Sequence, residues 1–216
     1  NIYSLHMFNI NRSEKNPILS PLKNHSWESK ATFNGCPVVI DSKTTALVYR
    51  AMSNEDPVRK PHISISTIGV AFSKNGEDFS DRAVLIAPSE DFDKYGCEDP
   101  RVTKIGDTYY IFYTALSDYP FGPHCIKTAV ALSKDLKTIY AKHLVTPFNA
   151  KAMALFPKKI GDKYTAFITI DTDPGPSKLC IRNFSTLEEI WDQKKWQKWY
   201  QEKDKYEIVL RRKEKD

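Results

Sequence analysis

Gly106-Asp107, Tyr109-Tyr110-Ile111-Phe112-Tyr113-Thr114-Ala115 and Thr128-Ala129-Val130-Ala131-Leu132-Ser133 form the stretch that decides the fold. A Gly-Asp turn feeds an aromatic and β-branched strand, and a further apolar strand closes on a serine. The same order stands on either side of it. Upstream, Gly35-Cys36-Pro37-Val38-Val39-Ile40 turns at Asp41-Ser42-Lys43 into Ala46-Leu47-Val48-Tyr49-Arg50-Ala51, and the strand after that ends on Ser73. Downstream, Ala154-Leu155-Phe156-Pro157 turns at Gly161-Asp162 into Tyr164-Thr165-Ala166-Phe167-Ile168-Thr169, and Leu179 to Phe184 ends on Ser185. Repeats of about 40 to 60 residues with three or four short strands mark β-propeller blades. Successive hairpins in a β-sandwich are the alternative. The repeats predict an all-β chain forming one domain over 1–216. Blade 1 spans about 31–88, blade 2 about 96–146 and blade 3 about 150–187, with a helical or irregular tail over about 188–216.

Composition narrows the function classes. At 216 residues and 41% hydrophobic content, the chain is long enough to bury a sizeable core. No apolar run approaches the roughly 20 residues that a bilayer-crossing helix needs, so no membrane partner is expected. The net charge of +5 is mild. Its basic cluster around Lys194-Lys195, Lys198, Lys203, Lys205 and Arg211-Arg212-Lys213 is diluted by Glu188, Glu189, Asp192 and Glu202. With Trp191, Trp196 and Trp199 interleaved, this reads as a solvated helix with an aromatic packing face, not a nucleic-acid surface. Cys36, Cys97, Cys125 and Cys180 form no CxxC pair, which argues against zinc and against a disulfide framework. Cys36 and Cys97 occupy similar places before a proline and read as small buried residues. No cofactor or metal is expected. Location is open, with a cytoplasmic setting slightly favoured over a periplasmic one.

Gly96-Cys97-Glu98-Asp99-Pro100-Arg101 carries the chemistry. Two acids and an arginine around a proline, at a strand entrance, allow a carboxylate to be aimed and partly desolvated, as a general acid requires. An Asp-Pro turn with a surface salt bridge is the plainer alternative. In a propeller the loops entering the inner strands converge on one pocket. Asn34, Arg50, Asp99, Arg101 and Lys151 all lie at inner-strand entrances or ends, a distribution that suits a sugar-sized site.

At these residues the chain resembles glycoside hydrolase family 130, the inverting mannoside phosphorylases and β-mannosidases built on a five-bladed propeller. The resemblance rests on Asn16-Pro17-Ile18-Leu19, Trp27-Glu28, Phe33-Asn34, Tyr49-Arg50-Ala51, Ile68 to Ser73, Gly96 to Arg101 and Phe148 to Pro157. It implies that Asp99 is the general acid, protonating the glycosidic oxygen of a mannose-containing oligosaccharide. In phosphorylases that proton passes through a sugar hydroxyl. Asn34 and Arg50 are implied mannose contacts, Arg101 either holds Asp99 or touches the sugar, and Lys151 is a candidate sugar or phosphate ligand. Structural salt bridges between blades compete for both arginines.

Two departures from the family pattern shape the expectations. Family phosphorylases carry a His-Arg pair after the strand matching Tyr164 to Ile168, whereas this chain reads Thr169-Ile170-Asp171-Thr172-Asp173-Pro174. That points to an inverting hydrolase of β-1,2-linked mannosides. The alternatives are a phosphorylase with inorganic phosphate as co-substrate, or a non-catalytic carbohydrate-binding propeller fragment. Asp171 and Asp173 read as turn residues. Secondly, only three blades can be counted, so an open arc of three four-stranded sheets is expected, with the catalytic base beyond residue 216. The missing sector would fall to a homo-oligomer or a complementing polypeptide.

Overall fold

The computed structural model describes residues 11–58, 60–172 and 175–208. Asp173, Pro174 and the basic cluster at Arg211-Arg212-Lys213 lie outside them. The chain folds into three antiparallel sheets in sequence order. The first holds β1 (Ala31–Asp41), β2 (Thr44–Met52), β3 (Ser66–Ser73) and β4 (Ser80–Ile86). The second holds β5 (Gly96–Ile105), β6 (Thr108–Leu116), β7 (Ile126–Ser133) and β8 (Ile139–Leu144). The third holds β9 (Ala150–Leu155), β10 (Tyr164–Ile170) and β11 (Lys178–Phe184). Each is a meander whose first strand is innermost, the pattern of propeller blades. The third has three strands where four were expected. Beyond β10, β11 is met by a bridge between Cys180 and Glu207 and by a hydrogen bond from Ile208 N to Leu179 O of 2.7 Å.

The β6 strand shows how the blades stack. Every one of its residues is buried, and strand alternation divides them between two cores. Tyr109, Ile111, Tyr113 and Ala115 pack with Val48, Ile68 and Val70 of the first sheet, whereas Tyr110 and Phe112 pack with Leu155, Ala166 and Ile168 of the third. The second blade is therefore covered on both faces, and Phe112 and Tyr113 are enclosed between blades. Fully burying such a side chain contributes roughly 1.5–3 kcal/mol.

The crossover between the first two blades is fixed by Asp93. This fully buried carboxylate accepts from the backbone N–H groups of Ser89 and Glu90, both at 2.9 Å, and from the Tyr113 hydroxyl at 2.8 Å, and it pairs with Lys142 of β8. Buried charge is tolerated here because the lone pairs are satisfied. Residues 11–30 lie on the outer side of the first sheet, with Leu19 and Trp27 packed on Leu47, Tyr49, Ala51 and Ala71. The tryptophan-rich segment is helical. A 3-10 turn over Glu188–Trp191 precedes α1 (Gln193–Gln201), whose N-terminus is capped by Asp192 accepting from Lys195 N at 3.1 Å. Trp196, fully buried against Phe184 and Phe148, places this helix on the third sheet, and Gln193 ties it to the Leu144 and Val145 carbonyls.

Candidate active site

Each inner strand carries the same irregularity. The register breaks between Phe33 and Cys36 in β1, between Glu98 and Arg101 in β5, and opposite Phe167 and Thr169 for β9. Within each break one residue has positive φ: Asn34 at 50°, Asp99 at 52° and Ala152 at 54°. A β-bulge of this kind bends the strand and re-aims the side chains on it. By this register Cys36 occupies the place of Arg101, so the expected equivalence of Cys36 and Cys97 is incorrect. Cys97 is fully buried, and burial followed by the nearby Asp93 charge pushes its thiol well up, away from any nucleophilic role.

The bulges bring the first two blades together. Asn34 Nδ2 donates to Asp99 Oδ1 at 2.7 Å, and Arg50 Nη1 donates to the same oxygen at 3.3 Å. Arg50 Nη2 pairs with Glu98, and its Nε donates to Ser66 Oγ at 3.1 Å. Ser66 Oγ in turn donates to Glu98 Oε1 at 3.1 Å. The Phe33 ring lies 4.7 Å from the Arg50 guanidinium and supports it through a cation–π contact. Burial raises the Glu98 pKa, and the neighbouring Asp99 charge adds to this, against the lowering influence of Arg50, Ser66 and Lys151.

Of the five site residues inferred from sequence, Asn34, Arg50 and Asp99 form one hydrogen-bonded cluster. Arg101 does not hold Asp99. It is exposed and donates from Nη1 to the Pro100 carbonyl at 2.9 Å, because the bulge separates its side chain from its neighbour's. Lys151 sits on β9 opposite Thr169, close enough for its charge to act on Glu98. Glu98 and Ser66 were missed as site residues. Plain strand alternation would send Glu98 and Asp99 to opposite faces, and only the bulge lets one arginine reach both. Asp171 is more than a turn residue. Although burial opposes it, hydrogen bonds from Lys203 and Tyr200 prevail and lower its pKa, and the Lys203 contact is 2.6 Å. Among the described residues no three metal-binding side chains converge, and no helix is long and apolar enough to cross a membrane.

An all-β arc of three blades, with a carboxylate held at the inner-strand bulges, has the architecture of propeller-fold glycoside-active enzymes. The beta-1,2-mannobiose phosphorylase from Listeria innocua, solved with beta-1,2-mannobiose, superimposes with a TM-score of 0.63 at 23% identity, over 83% of this chain and 64% of that one. This shows the fold. The sequence then gives the family: the model of glycoside hydrolase family 130, described as beta-1,4-mannooligosaccharide phosphorylase, matches residues 9–187, and the chain belongs to that family. It is 36% identical over 171 residues to the beta-1,2-mannobiose phosphorylase of Thermoanaerobacter sp. (strain X514), covering 74% of this chain and 54% of that protein. It is 34% identical over 160 residues to the 1,2-beta-oligomannan phosphorylase of the same organism, covering 73% and 52%. The chain thus spans about half the length of the curated relatives it matches.

Proposed function

We propose that this chain carries the proton-donating, mannose-binding part of a β-1,2-mannoside phosphorylase site, with Asp99 as the general acid. The observation that carries this reading is the Asp99 carboxyl raised on a bulge between the Asn34 amide and the Arg50 guanidinium. In an inverting phosphorolysis, a phosphate oxygen attacks the anomeric carbon from the face opposite the leaving sugar. The glycosidic C–O bond breaks as the new C–O bond to phosphate forms, and the leaving oxygen takes the Asp99 proton, directly or through a sugar hydroxyl. Arg50 and Asn34 then stabilise the carboxylate left behind. Arg101 and Lys151 make no ion pair among the described residues and are the candidate contacts to sugar or phosphate.

Kinship favours phosphate over water as the second reactant, since the matched relatives at 36% and 34% identity are phosphorylases. This displaces the hydrolase expected from the segment Thr169 to Pro174. One observation keeps hydrolysis as the second reading: no His-Arg pair follows β10, so the chain lacks two expected phosphate ligands. Asp171 does not supply a free base in their place, because it is committed to Lys203 and Tyr200.

Incubation with β-1,2-mannobiose, with and without inorganic phosphate, tests the proposal. Mannose 1-phosphate formed only when phosphate is present supports it. Free mannose released equally without phosphate establishes the hydrolase, and saturable sugar binding with neither product establishes a carbohydrate-binding propeller.

A further inference from the structure

Glu98 does nothing in the reaction just described, yet it is the most constrained acid at the site. Its side chain and that of Asp99 leave adjacent residues of β5 and reach the two terminal nitrogens of one guanidinium, Glu98 at Arg50 Nη2 and Asp99 at Nη1. Ser66 closes a ring by accepting from Arg50 Nε and donating to Glu98. We propose that Glu98 is a positioning residue that divides the Arg50 guanidinium between two carboxylates, leaving Asp99 able to carry a proton. The proposal rests on the reading of Asp99 as general acid.

The physical argument is charge balance. A lone arginine in contact with a carboxylate favours its ionised form, which opposes proton donation. A second carboxylate on the same cation reduces that pull, and repulsion between the two acids reduces it further. The groups facing the pair are few: Asn34 from β1, Arg50 from β2, Ser66 from β3 and Lys151 from β9, while Arg101 is turned to the Pro100 carbonyl. Arg50 is therefore the cation in direct contact with both acids. The raised pKa of Glu98, caused first by burial and sustained by Asp99, agrees with two acids competing for one partner. Coupled groups of this type titrate as a pair.

Carboxyl carbon NMR across pH tests the sharing without any turnover, so its outcome is independent of whether the enzyme uses phosphate. In Glu98→Gln the Asp99 titration midpoint should fall by roughly one unit, since Asp99 then has Arg50 to itself and loses the neighbouring charge. An unchanged midpoint would overturn the proposal. Kinetics supply the second arm. In Glu98→Gln the alkaline limb of the kcat/KM profile should move to lower pH, by roughly one unit for a lost contact charge. Glu98→Asp, which keeps the charge, should return it towards the wild-type position. A uniform loss at every pH with the limb in place would make Glu98 a structural brace only and would overturn the assignment. If Glu98→Gln does not fold, the Asp99 midpoint is read in Glu98→Ala, and an unchanged value there overturns the proposal.

Discussion

Asn34 and Asp99, 65 residues apart in sequence, hold the same positive-φ place in consecutive blades and meet through a hydrogen bond of 2.7 Å. The first blade thus uses its bulge residue to hold that of the second. The contact joins two copies of one backbone device, the first holding the carboxyl group that the second presents.

Replacing Asp99 by Asn should lower turnover of an unactivated β-mannoside by about 10²–10⁴-fold, the usual contribution of a general acid. Mannosides with good leaving groups should lose less, because their departure needs less proton help. Equal losses on both substrate classes, or full activity in the variant, would remove Asp99 from that role.

Arg50→Lys keeps a positive charge but cannot reach Ser66, Glu98 and Asp99 at once. Stability should fall by about 1–2 kcal/mol for the lost hydrogen bonds, and turnover should fall at least about tenfold with Asp99 less well held. Denaturant unfolding and steady-state rates measure the two effects. Wild-type values in both would mean that the network is incidental.

Gly69 of β3 faces Trp27 and Tyr49, and an added Cβ would stand 2.7 Å from Trp27 Cζ3 and from Tyr49 Cζ. Both rings are held, Tyr49 by its hydroxyl donating to the buried Glu28 carboxylate at 2.9 Å. Gly69→Ala should therefore cost about 1–3 kcal/mol through overpacking. A melting temperature equal to wild type would show that the outer layer yields freely.

His143 stacks on Trp191 with ring centroids 4.4 Å apart and planes inclined by 10°, and burial lowers its pKa from 6.5. Since the folded value is depressed, its contribution to stability is present above about pH 6.5 and is lost as pH falls through the folded value. The melting temperature should decline over that acidic window, and His143→Phe should flatten the decline. Identical slopes for the two proteins would assign the acid sensitivity to other groups.

The strands were legible because β6 and its counterparts are marked by turns of fixed chemistry and by dense aromatic and β-branched content. The blade count followed from their spacing. The third sheet's three strands were not legible, because a missing edge strand leaves no trace in the strands that remain. At the site, Asn34 and Asp99 could be found from their positions along inner strands, whereas Arg50, expected on an inner strand, stands near the end of the adjoining β2. Glu98 and Ser66 could not, since their proximity depends on a bulge whose effect is to suspend the alternation on which sequence reading relies. The misplaced equivalence of Cys36 and Cys97 has the same origin: the inserted residue shifts the count without changing the composition.

Ala152 repeats the bulge of Asn34 and Asp99 with a side chain that can neither donate nor accept. A non-glycine residue in this conformation costs about 1–2 kcal/mol, which asparagine or aspartate can partly recover through local hydrogen bonding. The third blade therefore keeps a vacant socket whose backbone is already set. Laboratory design could seat an amide or acid there without remodelling the strand, and the blade would gain a functional group from a single codon change.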